Sequence, residues 1–324
     1  MAKAKLKIQK SGPRRTDRIV KIRPVAGEKG FIAYTRRLVS QLKTARKPVA
    51  EKYEYALNKF VKFHGRGEVA FSDITPTLLL AFEGWMRETV TRNTSSFYMR
   101  CLHAIYNRAV ADGLASEGRN PFRHVYTGVD KTQKRALPLS LIQKIKDCDL
   151  SDKPKMAYAR DLFLLSFYFR GMSFVDMAYL TRLNLSGGFI TYSRKKTAQP
   201  VTIKQIPKMK EIISRYAADC RGNYLLPILS DSDPRKSRLQ YKAGSRKVNT
   251  HLKKLGEMLD LPVKLTMYVA RHSWATAARA KNVPIAVISQ GLGHDSEKTT
   301  RVYLASIDTS EVDRANDLVL TSIR

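Results

Sequence analysis

Residues 268–303, near the C-terminus of this 324-residue chain, read YVARHSWATAARAKNVPIAVISQGLGHDSEKTTRVY. Gly291 and Gly293 are predicted to bracket a tight turn, because glycine adopts turn conformations at little steric cost. The turn would present His294 on a loop, and the polar residues that follow are suited to cap a short helix. That helix carries Tyr303 nine residues after the histidine. An arginine–histidine pair, a Gly-His turn and a tyrosine thus follow one another at fixed spacing.

A β-hairpin is predicted upstream of this stretch. The hydrophobic period changes from about 3.6 to about 2 in residues 189–193 and again in residues 201–203. The connecting turn, Arg194-Lys195-Lys196-Thr197, is basic. Its charges are either solvated or available to a phosphate, and the alternation on both sides does not choose between these alternatives.

The first part of the chain is predicted to be helical throughout. Apolar residues recur there at three- and four-residue steps in four separate runs. Thr75-Pro76 is a start signal for the third helix, and Gly113 is a stop signal for the fourth. We expect a small all-helical domain over residues 27–125, preceded by a basic arm at residues 1–26.

The rest of the chain, residues 126–324, consists of a predicted linker and a second domain that contains the hairpin. Residues 126–135 are polar and basic and predict an exposed linker, with the boundary near residue 130. The second domain, residues 136–324, opens with two helices. A loop is predicted over residues 231–242, and an apolar stripe over residues 310–320 marks a terminal helix. The predicted fold is therefore mainly α-helical with a small antiparallel β-sheet.

The net charge of the chain limits the classes of partner that it is expected to bind. The chain has 59 Lys and Arg against 28 Asp and Glu, a formal net charge of +31, and its hydrophobic fraction of 43% excludes a wholly disordered chain. A folded surface this basic is better explained by an anionic partner than by a need for solubility alone. The candidate partners are nucleic acid and an anionic membrane surface. The longest apolar run, Leu162–Phe169, is far shorter than the ~18 residues that a membrane span needs. We therefore expect a nucleic-acid partner and no membrane.

The spacing of the cysteines and histidines shows neither a CxxC motif nor a metal-ligand pattern. The three cysteines form no CxxC pair and are expected to be buried thiols in a reducing cytoplasm. The six histidines show no metal-ligand spacing, so no metal and no other cofactor are expected.

The ordered C-terminal set resembles the signature of the tyrosine recombinase (phage integrase) family. The resemblance extends over residues 27–320 and includes the four-helix first domain, the basic linker and the basic hairpin. In the style of its sequence the chain is most similar to integrases and invertases of Bacteroides-type bacteria. The resemblance implies a helical core-binding (SAM-like) domain and an α+β catalytic domain. It also implies that a terminal docking helix packs on a neighbouring protomer, the alternative being that it packs on its own domain.

The resemblance implies a role for each matching residue. Tyr303 would attack a DNA phosphate to give a 3′-phosphotyrosyl bond and a free 5′ hydroxyl, without ATP or a divalent metal. Arg271 would bind two phosphate oxygens through its planar fork, and His294 would donate to another. Lys196 matches the hairpin lysine that protonates the leaving oxygen, and Lys195 is the neighbour that is easily mistaken for it.

This sequence departs from the family at its first arginine, which normally lies two residues after a glycine and three before an acidic residue. Gly171 and Asp176 fit that pattern, and Ser173 occupies the arginine position. Serine carries no charge, and Ser173 with Asp176 has the outline of a capping box. Arg170 is the candidate substitute, the alternative being a contact with the DNA backbone or with solvent.

A second departure lies just before Arg271. Tyr268 stands where the family usually has histidine, and its hydroxyl can donate to a phosphate oxygen but cannot act as a base at neutral pH. His272 is interpreted as a buried group that orients the site.

Both domains would clamp a DNA duplex, with phosphate contacts setting register and base contacts selecting the site. The candidate DNA contacts are Arg92, Asn93, Tyr98, Arg100 and Arg194. The family resemblance implies a site-specific recombinase for integration, excision or inversion, acting as a homotetramer on paired sites in the cytoplasm at the bacterial nucleoid. A DNA-bending accessory protein is a further candidate partner. Two alternatives remain: a type IB topoisomerase-like enzyme, and a catalytically impaired DNA-binding protein of the same fold.

We expect affinity for duplex DNA to fall steeply as salt rises, because each neutralised phosphate adds about −0.9 to the slope of log K against log salt concentration. Fluorescence anisotropy titrations of a labelled duplex at a series of NaCl concentrations measure that slope. A flat response would contradict the clamp.

Overall fold

The computed structural model describes residues 30–65, 67–118, 120–130, 135–304 and 320–321, without the side chains of Ala45, Val302 and Tyr303. The chain divides into two compact units between Thr132 and Gln133. The predicted basic arm at residues 1–26 and most of the apolar stripe at residues 310–320 lie outside the described residues. No helix in the described part is both long and apolar enough to cross a bilayer.

The first unit contains the four predicted helices. They are α1 (Phe31–Ala45), α2 (Lys47–His64), α3 (Pro76–Arg87) and α4 (Arg92–Ala111). The Thr75 hydroxyl caps α3 by accepting a hydrogen bond from the Leu78 N–H at 3.2 Å, as its start signal predicts. Aromatic rings fill the core between the helices; the Phe60 ring lies 5.8 Å from Phe31 and 5.3 Å from Phe82, edge to face in both pairs.

Residues 126–130, the first half of the predicted linker, are hydrogen-bonded to α4, while Gly128 and Val129 are exposed. The Ser96 hydroxyl and the Arg100 guanidinium both donate to the Gly128 carbonyl, at 2.5 and 2.9 Å. Asn93 exchanges two hydrogen bonds with the Asp130 backbone, donating at 3.0 Å and accepting at 2.7 Å. Side chains of α4 therefore satisfy the backbone of this segment and hold it on the first unit.

The second unit surrounds a small antiparallel sheet. Its strands are β1 (Leu185–Ser186), β2 (Phe189–Ser193) and β3 (Pro200–Lys204), in the order β1-β2-β3. Ile190 pairs with Ile203 and Tyr192 with Val201, and these four side chains point into the core. The predicted hairpin is thus confirmed, because alternating residues bury one face of each strand. The two-residue β1 was too short to predict.

Helices α5–α12 accompany the sheet, which buries one face of β2 and β3 and leaves the other exposed. They are α5 (Leu139–Asp147), α6 (Pro154–Tyr168), α7 (Phe174–Ala178), α8 (Pro207–Arg215), α9 (Pro234–Met258), α10 (Met267–Ala280), α11 (Ile285–Leu292) and α12 (Glu297–Leu304). Helix α6 is buried throughout residues 161–166 and packs against α9 and α10. Hydrophobic residues on all sides of α6 make it the centre of the core.

Two sequence predictions in this unit are wrong. Most of the loop predicted over residues 231–242 belongs to α9, because Asp233 caps the N–H groups of Arg235 and Lys236 and Pro234 occupies the first helical position. Gly291 does not bracket a turn but lies within α11. A side chain there would approach the Trp274 ring at 2.9 Å, so close packing accounts for this glycine.

Candidate active site

Arg271 lies at the centre of the candidate site. It is the fifth residue of α10, and only 5% of its surface is exposed. Nη1 donates to the Gly171 carbonyl and Nη2 to the Leu292 carbonyl, both at 2.7 Å. Carbonyl acceptors orient the guanidinium without neutralising its charge. The positive charge predicted for Arg271 is therefore held rigidly between two loops.

Gly171 makes this close approach possible. Its φ is +74°, in the region that favours glycine, and a Cβ there would lie 2.7 Å from the Arg271 Cα. Any side chain at position 171 would therefore displace the helix that carries Arg271. The glycine noted in the sequence beside the missing arginine is explained by this contact.

His294 lies on the loop after α11, as predicted. Gly293 ends the helix in the left-handed conformation, with φ at +61°, and the His294 N–H donates to the Ser289 carbonyl at 3.0 Å. The ring atom Nε2 lies 3.0 Å from Arg271 Nη2, and Nδ1 lies 2.8 Å from the Thr300 hydroxyl. Because arginine only donates, Nε2 accepts and the ring proton resides on Nδ1.

The charge state of His294 agrees with this arrangement. Burial, followed by the positive charges of Arg271, Arg194 and Lys196, lowers its pKa to about 4. The ring is consequently neutral at pH 7. In this geometry Nε2 accepts from Arg271, and donation from His294 to a phosphate oxygen stays a prediction.

The hairpin tip is joined to the same loop by Arg194. Its Nη1 donates to the Gly293 carbonyl at 2.7 Å, and its Nε lies 3.6 Å from Asp176 Oδ2. Asp176 Oδ1 accepts the backbone N–H of Lys195 at 2.8 Å. Arg194 is only 7% exposed, so its prediction as a DNA contact is corrected: it ties the hairpin to the histidine loop.

The two lysines at the tip have different surroundings. The Lys195 ammonium lies 4.1 Å from the centre of the Tyr179 ring, an attractive cation–π geometry. Lys196 is exposed, and its charge is one of those that lower the pKa of His294. The structure therefore brings Lys196 within electrostatic range of the candidate site, whereas Lys195 contacts a ring outside it.

Ser173 occupies the position of the family's first arginine, and Arg170 is the candidate substitute. Ser173 caps α7: its hydroxyl donates to Asp176 Oδ2 at 2.6 Å and accepts the Asp176 N–H at 3.4 Å. Arg170 has a φ of +57°, and its Nη1 lies 3.5 Å from the Thr202 carbonyl on β3. Burial, and then the negative charge of Asp176, raise the pKa of Tyr192, and the charges of Arg194, Arg271 and Arg170 oppose that rise.

The first turn of α10 holds the remaining candidates. Tyr268 is 52% exposed, and its ring stands perpendicular to that of His272, with centroids 4.5 Å apart. Burial, and then the charges of Arg135 and Arg271, lower the pKa of His272 to about 4. His272 is thus a neutral, half-buried group, in keeping with its interpretation as an orienting residue.

Tyr303 lies in the last turn of α12, on the same helix as Thr300. Its side chain falls outside what the structure describes. The backbone nevertheless fixes one relation, since residues three apart on a helix share a face. The helix that holds His294 through Thr300 is therefore the helix that carries the predicted nucleophile.

Two family models match the chain over the regions just described. The phage integrase SAM-like domain matches residues 30–125, and the phage integrase family matches residues 172–309. The chain belongs to the tyrosine recombinase (phage integrase) family. The resemblance read from residues 268–303 is confirmed.

Individual relatives of this integrase-family chain are distant. A tyrosine recombinase from Pseudothermotoga lettingae is 25% identical over 190 residues, covering 56% of this chain and 59% of the relative, less than two thirds of its length. A lambda integrase dimer bound to a COC′ core site has a TM-score of 0.65 at 15% identity, over 84% of this chain and 76% of that chain. The Tn1549 transposon integrase in complex with transposon right end DNA has a TM-score of 0.66 at 14% identity, over 90% and 99%. At such identities the likeness shows a shared fold.

Three of the predicted DNA contacts in the integrase SAM-like domain have a structural partner. Asn93 and Arg100 hold residues 127–130, and the Arg92 guanidinium lies 3.8 Å from the centre of the Tyr126 ring. Tyr98 packs beside Phe97, with ring centroids 5.5 Å apart. Arg92 and its neighbours thus position the segment leading to the second unit, and DNA contact by them stays a prediction.

Sequence reasoning missed two groups at this integrase site. Asp176 joins Ser173, Arg194 and the Lys195 backbone, although the sequence suggested only a cap. Thr300 is fully buried and holds the His294 ring. The Ser-x-x-Asp spacing was a signal for the first, whereas a threonine on a short helix carries none for the second.

We expect acid to destabilise the second unit through its two depressed histidines. The folded state keeps His272 and His294 neutral down to about pH 4, whereas the unfolded chain protonates them near their ordinary pKa of 6.5. The unfolded state then binds more protons, so the free energy of unfolding falls as pH drops from 7.5 to 5.5, by about 1 kcal/mol for each ring. Urea titrations across this range measure the slope. In a His272→Gln/His294→Gln variant the slope should be shallower, and an unchanged slope would contradict the assignment.

Proposed function

We propose that this chain is a site-specific DNA recombinase that cleaves and rejoins DNA through a 3′-phosphotyrosyl intermediate, in integration, excision or inversion. The observation that carries the proposal is the bond from Arg271 to His294 and from His294 to Thr300, on the helix of Tyr303. It supports a site in which a rigid cation lies beside a tyrosine-bearing helix. The net charge of +31 supports duplex DNA as the partner.

The proposed reaction needs a cation at the phosphate. A tyrosine hydroxyl with a pKa near ~10 is a poor nucleophile at neutral pH, so it attacks where positive charge stabilises the transition state. Arg271 supplies that charge, since two neutral carbonyls already fix its direction. Such preorganised charge costs little reorganisation when the substrate reacts.

Lys196 is proposed as the general acid. The leaving 5′ oxygen must be protonated, and an ammonium on an exposed hairpin tip can reach it when DNA is bound. The backbone supports this position, because Asp176 accepts the N–H of the preceding residue and Arg194 anchors the tip to the Gly293 carbonyl. The energy of the broken phosphodiester bond is retained in the phosphotyrosyl bond, so rejoining needs no ATP.

The proposed assembly is a homotetramer on two paired sites, because exchanging both strands of two duplexes takes four cleavages with one tyrosine each. One solved relative, a lambda integrase, is a tetramer bound to a Holliday junction. We also propose that the apolar stripe at residues 310–320 docks on a neighbouring protomer. The cytoplasm, in association with the nucleoid, is the proposed location, with a DNA-bending protein as a candidate partner.

Tyr303→Phe is expected to abolish the covalent protein–DNA adduct and leave DNA affinity within about twofold, because only the attacking oxygen is removed. Adduct formation on a nicked suicide duplex is measured by denaturing gel, and affinity by anisotropy. Tyr55→Phe, on an exposed side chain of the first unit, is the matched control.

An adduct that survives Tyr303→Phe would assign the nucleophile elsewhere, and a wild-type chain that binds without any adduct would indicate an impaired DNA-binding protein. Wild-type product that only rejoins its original strand would indicate the topoisomerase-like alternative.

Arg170 is proposed to replace the missing first arginine. We expect Arg170→Ala to lower suicide-duplex cleavage by at least about tenfold, since a charged hydrogen bond to phosphate is worth roughly 1.5–3 kcal/mol. Ser173→Ala should instead lower stability by about 1 kcal/mol through the lost cap, with cleavage by the folded enzyme retained. Arg170→Lys keeps the charge and should recover part of the rate. If only the serine change lowers cleavage, Arg170 is not the substitute.

A further inference from the structure

The buried hydroxyl of Thr300 is hydrogen-bonded to the ring of His294. Thr300 is fully buried on α12, and its Oγ1 lies 2.8 Å from Nδ1 of His294. The other ring nitrogen, Nε2, lies 3.0 Å from Nη2 of Arg271, which can only donate. A neutral histidine has one N–H, so that N–H is on Nδ1 and Thr300 Oγ1 accepts it.

We propose that Thr300 is a positioning residue: its hydroxyl holds His294 in the Nδ1–H tautomer and thereby turns the Nε2 lone pair toward Arg271. The inference deepens the proposed recombinase function and rests on it for its catalytic consequence. Thr300 acts through the histidine, as hydrogen-bonding partners of other histidines fix tautomer and ring orientation.

The electrostatics of the loop favour the same neutral ring. Burial, and then the positive charges of Arg271, Arg194 and Lys196, lower the pKa of His294. A second ring proton would therefore be resisted, and the choice left to the protein is which nitrogen carries the single proton. Arg271 donates to Nε2 and so favours the proton on Nδ1, and the Thr300 hydroxyl stabilises that choice by accepting the Nδ1 proton.

Helix geometry gives the bond a second consequence. Thr300 precedes Tyr303 by three residues on α12, a short helix of eight residues. The hydrogen bond therefore connects the loop that carries His294 to the nucleophile's helix, one turn away from the tyrosine. Loss of the bond is expected to free both the ring and the start of that turn.

The test uses the full-length chain in three variants. Thr300→Val keeps the shape and removes the acceptor, Thr300→Ser retains a hydroxyl, and Thr299→Val is the control on an exposed neighbouring threonine. The first readout is ¹⁵N NMR of the protein labelled in histidine, with His294 assigned by its loss in His294→Gln. We expect a protonated Nδ1 in the wild type, Thr299→Val and Thr300→Ser, and a mixed or Nε2–H population in Thr300→Val.

The second readout is single-turnover cleavage of the nicked duplex. Thr300→Val should cleave roughly 10- to 100-fold more slowly at unchanged DNA affinity, and Thr300→Ser should recover most of the rate. If Thr300→Val does not fold, Thr300→Ala compared with Thr300→Ser replaces it in both experiments.

An Nδ1–H tautomer that persists without the hydroxyl would overturn the proposal, as would a folded Thr300→Ser that behaves like valine. A wild-type chain without cleavage would contradict the recombinase function alone, because the tautomer measurement does not depend on activity.

Discussion

Two arginines bind two successive backbone carbonyls, and the site depends on this contact. Arg271 donates to the carbonyl of Leu292 and Arg194 to that of Gly293, each at 2.7 Å. One arginine comes from α10 and the other from the hairpin tip, so three separate parts of the second unit meet at a single turn. Gly293 permits this meeting, because a Cβ at that position would lie 2.5 Å from the Arg194 side chain. A left-handed glycine thus ends α11 and makes room for the guanidinium at the same time.

The two arginines are held by different groups. Arg194 lies 3.6 Å from the buried carboxylate of Asp176, which also accepts hydrogen bonds from Ser173 and the Lys195 backbone. A buried pair with several hydrogen bonds fixes geometry more than it stabilises the fold, because desolvation offsets much of its attraction. Arg271 is oriented by the carbonyls of Gly171 and Leu292. One arginine therefore serves position and the other serves electrostatics, and this division explains why Arg194 is not available to DNA.

The sequence predicted the elements and the order of the site well, because both depend on local patterns. The four helices of the first unit and the two long strands follow from hydrophobic period, and His294 lies on its loop because Gly293 ends the helix. The start of α9 was missed, since a helix turn made of Arg, Lys and Gln on the surface has the composition of a loop. The contact of Arg271 with Gly171 joins residues a hundred positions apart through a carbonyl, and a backbone carbonyl has no signature in a sequence.

The hydrogen bonds of residues 126–130 could not be predicted for a similar reason. Their polarity matches an exposed linker, yet the polar groups are satisfied by Asn93, Ser96 and Arg100 on α4. Polar composition reports that hydrogen bonds are needed and does not say whether water or protein supplies them.

The cationic site and its neutral histidine form a consistent electrostatic arrangement. Guanidinium groups stay charged throughout the physiological range, so the field that Arg271 offers a phosphate does not vary with pH there. A histidine titrating near 7 beside it would make that field vary. Burial and the neighbouring cations instead lower the pKa of His294 to about 4, which removes the variation. The neutral ring then adds no charge to the site. Its hydrogen bonds to Arg271 and Thr300 connect the arginine to the helix that carries Tyr303.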